Sequence, residues 1–240
     1  MSAGLVVSKP VGRALLQGAF FDDVSAVLFD LDGTLVDSAP DLAGAANEMR
    51  AARGLEALAY DLLRPMVGTG ARGMLNVALH ITTEHADYEA LKTEFLDRYE
   101  RRMLQETQLF AEVQVMLLNL TAAGMGWGIV TNKAERFALP LTRALGLHTA
   151  ALAVVGGDTT PYAKPHPGPL LEAARRAGLA PQRCIYVGDD ERDILAGRAA
   201  GMRTVAAAWG YLGCGKPVDA WQADIVLSSP AGLLKTLGLS

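Results

Sequence analysis

Short apolar runs rich in β-forming residues punctuate the chain at 26–29, 127–130, 152–155, 184–187, 204–208 and 225–227, each ending in polar or glycine-rich residues. Runs this short, without strict polar alternation, fit strands buried on both faces, as in a parallel sheet. Helical spacing separates most of them, at 113–123, 136–145, 169–177, 193–200 and 231–237. The alternation predicts an α/β fold: a Rossmann-like parallel sheet core covered by helices on both faces, linked by right-handed crossovers. In such a sheet, ligands bind beyond the carboxyl ends of the strands, so the residues after each run are the ones to inspect.

The alternation fails between 37 and 108. No convincing strand falls there, but Leu91, Phe95, Tyr99 and Met103 recur every four residues with charges between them, marking an amphipathic helix. The predicted organisation is therefore a core of 1–36 and 109–240 with a small helical domain, 37–108, inserted just after the first strand. Internal repeats and low-complexity tracts are absent.

Composition narrows the function. The 240 residues are 50% hydrophobic and 20% charged, enough to bury a core without a disulfide or structural metal. A net charge of −4 gives no basic face for nucleic acid. Cys184 and Cys214 form no C-x-x-C pair, and His80, His85, His148 and His166 have no zinc-ligand spacing. Lys9, Pro10 and Arg13 interrupt the apolar N-terminus, so neither a signal peptide nor a membrane span is expected. The expectation is a cytoplasmic protein, monomer or dimer, with no membrane or nucleic-acid partner.

The strand ends carry the chemistry. After the first run, Asp30 and Asp32 precede Gly33, which permits a tight turn. A calcium loop would need glycine where Leu35 stands. After the second run comes Thr131-Asn132-Lys133, and after the third Lys164-Pro165-His166-Pro167, whose prolines favour an extended arm for Lys164. After the fourth, Asp189 and Asp193 are four apart and would share one face of a helix start. Each alone has an ordinary explanation as a turn, a solvated lysine or a helix cap. Together they bring carboxylates, a hydroxyl, an amide and a cation to one sheet edge. Clustered carboxylates call for a hard cation, and Mg²⁺ takes oxygen ligands with substrate phosphate completing its shell. Thr131, Asn132 and Lys164 would donate to phosphate oxygens. The pattern points to phosphoryl transfer with a carboxylate nucleophile.

From about residue 25 onward the chain resembles the haloacid dehalogenase superfamily, in its phosphoglycolate phosphatase-like branch. Phe29-Asp30-Leu31-Asp32-Gly33-Thr34-Leu35-Val36-Asp37-Ser38-Ala39-Pro40-Asp41-Leu42 carries the resemblance, and the three later motifs follow in the family's order. The resemblance implies that Asp30 attacks phosphorus, while Asp32 protonates the leaving alkoxide and then activates water. It implies Mg²⁺ held by Asp30, the Asp32 carbonyl and Asp189, with Asp193 beside or behind it. Lys164 and Thr131 would hold the phosphoryl group, with Asn132 and Gly33 also among the phosphate-contacting positions. The insert would be a cap closing over a small phosphate ester. A proton donor two residues from the nucleophile also separates phosphatases from dehalogenases.

Segments 38–41 and 156–158 with 164–167 resemble phosphoglycolate phosphatases, whose substrate is the one expected, whereas 70–72, 127–128 and 188–193 resemble the related N-acetylmuramic acid 6-phosphate phosphatase. Both substrates carry a carboxylate, which Arg72, between Gly70 and Gly73, is placed to clamp unless it is simply a solvated arginine. A sugar phosphomutase and a phospho-accepting receiver module remain alternatives, although a receiver lacks both the second acid and the insert. Two departures stand out: Ala111-Glu112 replaces the family's usual Pro-Gly, and Asp190 stands where Ser is common, adding charge near the metal. Gly68-Thr69-Gly70-Ala71-Arg72-Gly73 matches the dinucleotide fingerprint without a preceding strand, and Gly213-Cys214-Gly215-Lys216 is too short for a P-loop. No G-x-S-x-G elbow exists for a serine hydrolase.

Overall fold

The four apolar residues of β1 (Ala26–Phe29) are fully buried and divide between two layers. Val27 and Phe29 pack into one hydrophobic layer, Ala26 and Leu28 into the other. The computed structural model describes residues 23–239; residues 1–22, most of the uninterpreted N-terminal stretch, lie outside them.

After β1 the chain passes through a short strand, β2 (Val36–Asp37), into α1 (Ala39–Ala51), α2 (Tyr60–Leu63), a 3-10 turn (Arg64–Thr69), α3 (Gly70–Leu79) and α4 (Tyr88–Arg102). It returns through β3 (Gln108–Leu109), which pairs antiparallel with β2. The helices share a core of their own, including Met49, Leu63, Met74, Leu75, Phe95 and Tyr99. Phe137 and Tyr211, from outside the insert, also join that core. The β2–β3 pair is absent from the sequence reading because two residues per strand leave no periodicity. It pins the outgoing and returning chains together. Asp41, fully buried, secures the return: it accepts hydrogen bonds from Thr107 N (2.9 Å), Thr107 Oγ1 (2.8 Å) and Glu106 N (3.1 Å).

The chain then alternates α5 (Val113–Ala122), β4 (Gly126–Val130), α6 (Glu135–Ala144), β5 (Val154–Val155), α7 (Gly168–Ala177), β6 (Cys184–Gly188), α8 (Glu191–Ala199), β7 (Arg203–Ala207), β8 (Ile225–Leu227) and α9 (Pro230–Thr236). The six long-range strands form one parallel sheet of order β5-β4-β1-β6-β7-β8. Residues from α5, α6 and α9 fill the layer on one face; α7 and α8 fill the other. The fold class is therefore the α/β sheet covered on both faces. The apolar run at 152–155 yields only two ladder residues because β5 is the sheet edge, and Leu152 is exposed. With β2 and β3 set aside, the order reverses at β1, opening a crevice beyond the ends of β1, β4 and β6. Among the described residues, no helix is long and apolar enough to cross a membrane.

Glu112 explains one departure noted in the sequence. Its φ is +69°, the left-handed region that glycine occupies without a Cβ clash. Its side chain gains only a 3.3 Å hydrogen bond from Ala231 N. Glu112→Gly should therefore stabilise the protein by about 1 kcal/mol, or a rise in Tm of about 2–4 °C. A denaturation midpoint that stays put or falls would show that the side chain contributes more than the backbone strain costs.

Candidate active site

Asp30 follows β1 directly, and its N–H donates to Val187 O (2.8 Å), extending the ladder to the first acid. Its carboxylate accepts from Leu31 N (2.7 Å) and lies 2.9 Å from Lys164 Nζ. Gly33, with φ +85°, turns the chain immediately afterwards. Asp32 consequently faces other partners: Lys133 Nζ sits 3.0 Å from both its oxygens, and Ser38 Oγ donates to Oδ1 at 2.5 Å. Two acids only two residues apart thus have separate lysines. Burial alone would lower the Lys133 ammonium, but Asp32 and Tyr99 outweigh it and hold it above the ordinary lysine value.

Lys164 is the hub of the other half. Its buried ammonium lies 2.7 Å from Asp193 Oδ1 and donates to Tyr186 Oη (2.8 Å) and Val130 O (3.1 Å), besides pairing with Asp30. Burial opposes the charge, but Asp193 and Asp30 hold the ammonium above its usual value. Asn132, expected to donate to phosphate, is committed elsewhere. Its Oδ1 accepts from Lys164 N (2.9 Å) and its Nδ2 donates to Lys164 O (3.0 Å), so it holds the lysine's backbone. Thr131 is buried; its Oγ1 accepts from Lys133 N (3.2 Å), and its own proton has no acceptor among the described residues.

Asp30, Asp189 and Asp193 bring carboxylate oxygens within 4.8 Å of one another. The Asp32 carboxylate is not part of this group. Asp189 is the buried acid without a cationic partner: its hydrogen bonds come from neutral donors, Thr34 Oγ1 (3.1 Å) and Tyr211 N (2.8 Å). Burial, then the charges of Asp30 and Asp193, push its carboxyl well above the usual range. Burial likewise raises Asp193 to about 6, with Lys164 pulling it back and Asp30 adding to the rise. One ammonium facing three carboxylates, all hard oxygen donors, fits a Mg²⁺ site.

Gly33 proves to be a packing position for that cluster. A Cβ there would lie 2.1 Å from Asp189 Oδ2, and one on Gly210 would lie 2.3 Å from Asp189 Cβ. Gly210 belongs to Trp209-Gly210-Tyr211, an uncharged strand end that follows β7 and carries no residue pattern of its own. Tyr211 N holds Asp189, while its hydroxyl accepts from Ser38 N (2.8 Å) and donates to Asp37 Oδ1 (2.9 Å). Lys133, named in the sequence only as the cation of the Thr131-Asn132-Lys133 turn, gains its role from a buried pairing with Asp32 across 101 positions of chain.

Asp190 does not leave an unmatched charge near the cluster. It caps α8 by accepting from Arg192 N (2.9 Å) and pairs through both oxygens with the Arg192 guanidinium (2.7 and 2.9 Å). Burial would raise its carboxyl, but the Arg192 hydrogen bonds hold it below the usual value. Arg192 also donates to Gly68 O, joining α8 to the insert.

A cavity of about 530 Å³ lies between the sheet ends and the insert. Asp30, Asp32, Thr131, Lys164 and Asp189 line one side, and residues 68–71 with Tyr99 line the other. Arg72 is not brought to it. Helix α3 starts at Gly70, so the turn preceding it faces the cavity while Arg72 is exposed.

Comparisons with known proteins agree with this architecture. Residues 27–207 match the family model described as haloacid dehalogenase-like hydrolase. A protein of Xanthomonas campestris named phosphoglycolate phosphatase is 52% identical over 210 residues, 87% of this chain and 94% of its own. A protein of Pseudomonas putida named N-acetylmuramic acid 6-phosphate phosphatase is 40% identical, covering 88% of this chain and 95% of its own. A crystal structure titled as a predicted phosphoglycolate phosphatase from Haemophilus somnus superposes with a TM-score of 0.79 at 29% identity, covering 89% of this chain and 97% of that one. The chain belongs to the haloacid dehalogenase-like hydrolase family.

Proposed function

We propose that this protein is a phosphoglycolate phosphatase, hydrolysing its ester through an aspartyl phosphate on Asp30. The observation that carries the proposal is the separation of two neighbouring acids onto two lysines: Asp30 beside Lys164 and the acid cluster, Asp32 beside Lys133. In the first step an Asp30 oxygen bonds to phosphorus as the ester P–O bond breaks, and the departing alkoxide takes a proton from the Asp32 carboxyl. Lys133 then faces the carboxylate that this leaves and balances its charge. In the second step Asp32 takes a proton from water, the water oxygen bonds to phosphorus, and the Asp30–phosphorus bond breaks to release inorganic phosphate. Thr131 and Lys164 are placed to hold phosphoryl oxygens, and Asn132 positions Lys164 from behind.

Asp30, Asp189 and the Asp32 carbonyl would hold Mg²⁺, with Asp193 behind them. When bound, the ion supplies charge neutralisation for the phosphoryl oxygens. The helical insert would act as a cap that excludes water from the cavity.

Identity to phosphoglycolate phosphatases over most of the chain supports the two-carbon substrate. A second reading, N-acetylmuramic acid 6-phosphate, is favoured by one observation: the cavity has more room than a two-carbon acid fills. Steady-state kcat/KM for the two esters decides between them. The proposal expects 2-phosphoglycolate to lead by at least about tenfold, a transition-state difference of about 1.4 kcal/mol. A lead for the sugar phosphate would replace the first reading with the second.

Asp32→Asn tests the assignment of the two acids. In single-turnover phosphorylation, an alkyl ester should slow by roughly 100-fold or more, and 4-nitrophenyl phosphate far less, because its leaving group needs no proton. Equal losses for both esters would contradict the proton-donor role.

A further inference from the structure

Tyr99, on α4 of the insert, is 1% exposed, yet its hydroxyl has no hydrogen-bond partner among the described residues. Buried phenols ordinarily find a partner, because an unsatisfied hydroxyl costs stability. Among the described residues the other buried side-chain atom left in this state is His148 Nδ1, which is away from the cavity; Tyr99 lines it.

The surroundings say which end of a substrate this hydroxyl meets. The Tyr99 ring packs edge-on against Phe137 with centroids 5.5 Å apart. Its face lies 4.7 Å from Lys133 Nζ, the ammonium that pairs with Asp32. Tyr99 therefore stands on the side of the proton donor, where the leaving group departs, and not beside Lys164. Arg136 lines the same cavity and packs its guanidinium 4.3 Å from the Phe137 centroid, with no ion-pair partner among the described residues. The Tyr99 hydroxyl, although electrostatically coupled to Lys133, has no acceptor for its own proton among the described residues, and Arg136 has no ion pair there; both lie against a single aromatic ring. The chemistry they share is donation to an anionic oxygen acceptor.

Building on the aspartyl-phosphatase reading above, we propose that Tyr99 is a specificity-determining residue: its hydroxyl donates to the carboxylate of the leaving group, with Arg136 beside it. The phosphate is held by the sheet ends and the carboxylate is read from the insert, so only an ester with both satisfies the two halves of the cavity.

Tyr99→Phe tests this, since it keeps the ring against Phe137 and Lys133 and removes only the hydroxyl. With 2-phosphoglycolate, KM should rise roughly 10- to 100-fold while kcat changes less than about threefold. With ethyl phosphate, which lacks the carboxylate, kcat/KM should change less than about threefold. Without substrate, Tm should hold or rise, because the substitution removes an unpaired polar group. Parallel losses on both esters, a fall confined to kcat, or no change on either would overturn the proposal. If the wild-type protein turns over N-acetylmuramic acid 6-phosphate instead, the two-carbon reading fails separately. The role of Tyr99 is then judged on that ester against N-acetylglucosamine 6-phosphate, which lacks the lactyl carboxylate, with the same expected and overturning outcomes.

Discussion

Three carboxylates and one ammonium meet where β1 and β6 end, and that imbalance governs the arrangement around them. Lys164 offsets Asp30 and Asp193 but does not pair with Asp189. A buried carboxylate without a cation is costly, so its neighbours must hold it by geometry. Thr34 and Tyr211 donate to it, and Gly33 and Gly210 leave it room that no side chain could share. Asn132 fixes Lys164 from behind, and Tyr186 shares the lysine's hydrogen bonding. These groups come from five separate stretches of chain, and the sheet's reversal at β1 is what gathers them.

The same residues couple the cluster to the insert. Tyr211 holds Asp189 through its backbone and the entry to α1 through its hydroxyl. Lys133 holds Asp32 and lies against the Tyr99 ring. Arg192 reaches Gly68 O, and Arg64 donates to Gly210 O (3.1 Å) while resting on the Tyr211 ring. The helical insert is thereby tied to Asp189 through Tyr211 and to Asp32 through Lys133.

Much of this was legible in the sequence because strand ends concentrate the chemistry. Asp30, Asp32, Thr131, Lys164, Asp189 and Asp193 each follow an apolar run, and the structure brings all six to one crevice. What escaped depended on contacts between distant positions. Lys133 looks like any turn cation until its pairing with Asp32 is seen. Asp190 reads as surplus charge until Arg192 takes up both its oxygens. Arg72 sits next to cavity residues in sequence, but the start of α3 turns it outward. Trp209-Gly210-Tyr211 was within reach of the strand-end rule, since it follows β7 just as Asp30 follows β1. Its residues bear no charge, so nothing but position marked them.

The central claim is that the unpaired charge on Asp189 builds a divalent-cation site. Thermal unfolding of wild-type and Asp189→Asn protein, each with and without Mg²⁺, tests it most directly. The wild-type Tm should rise by about 5 °C or more with saturating Mg²⁺. The variant, which takes an ionisable carboxyl out of a buried acid cluster, should match or exceed the metal-free wild type and show little further rise with Mg²⁺. A variant that loses stability without metal yet keeps the full Mg²⁺ shift would contradict the claim.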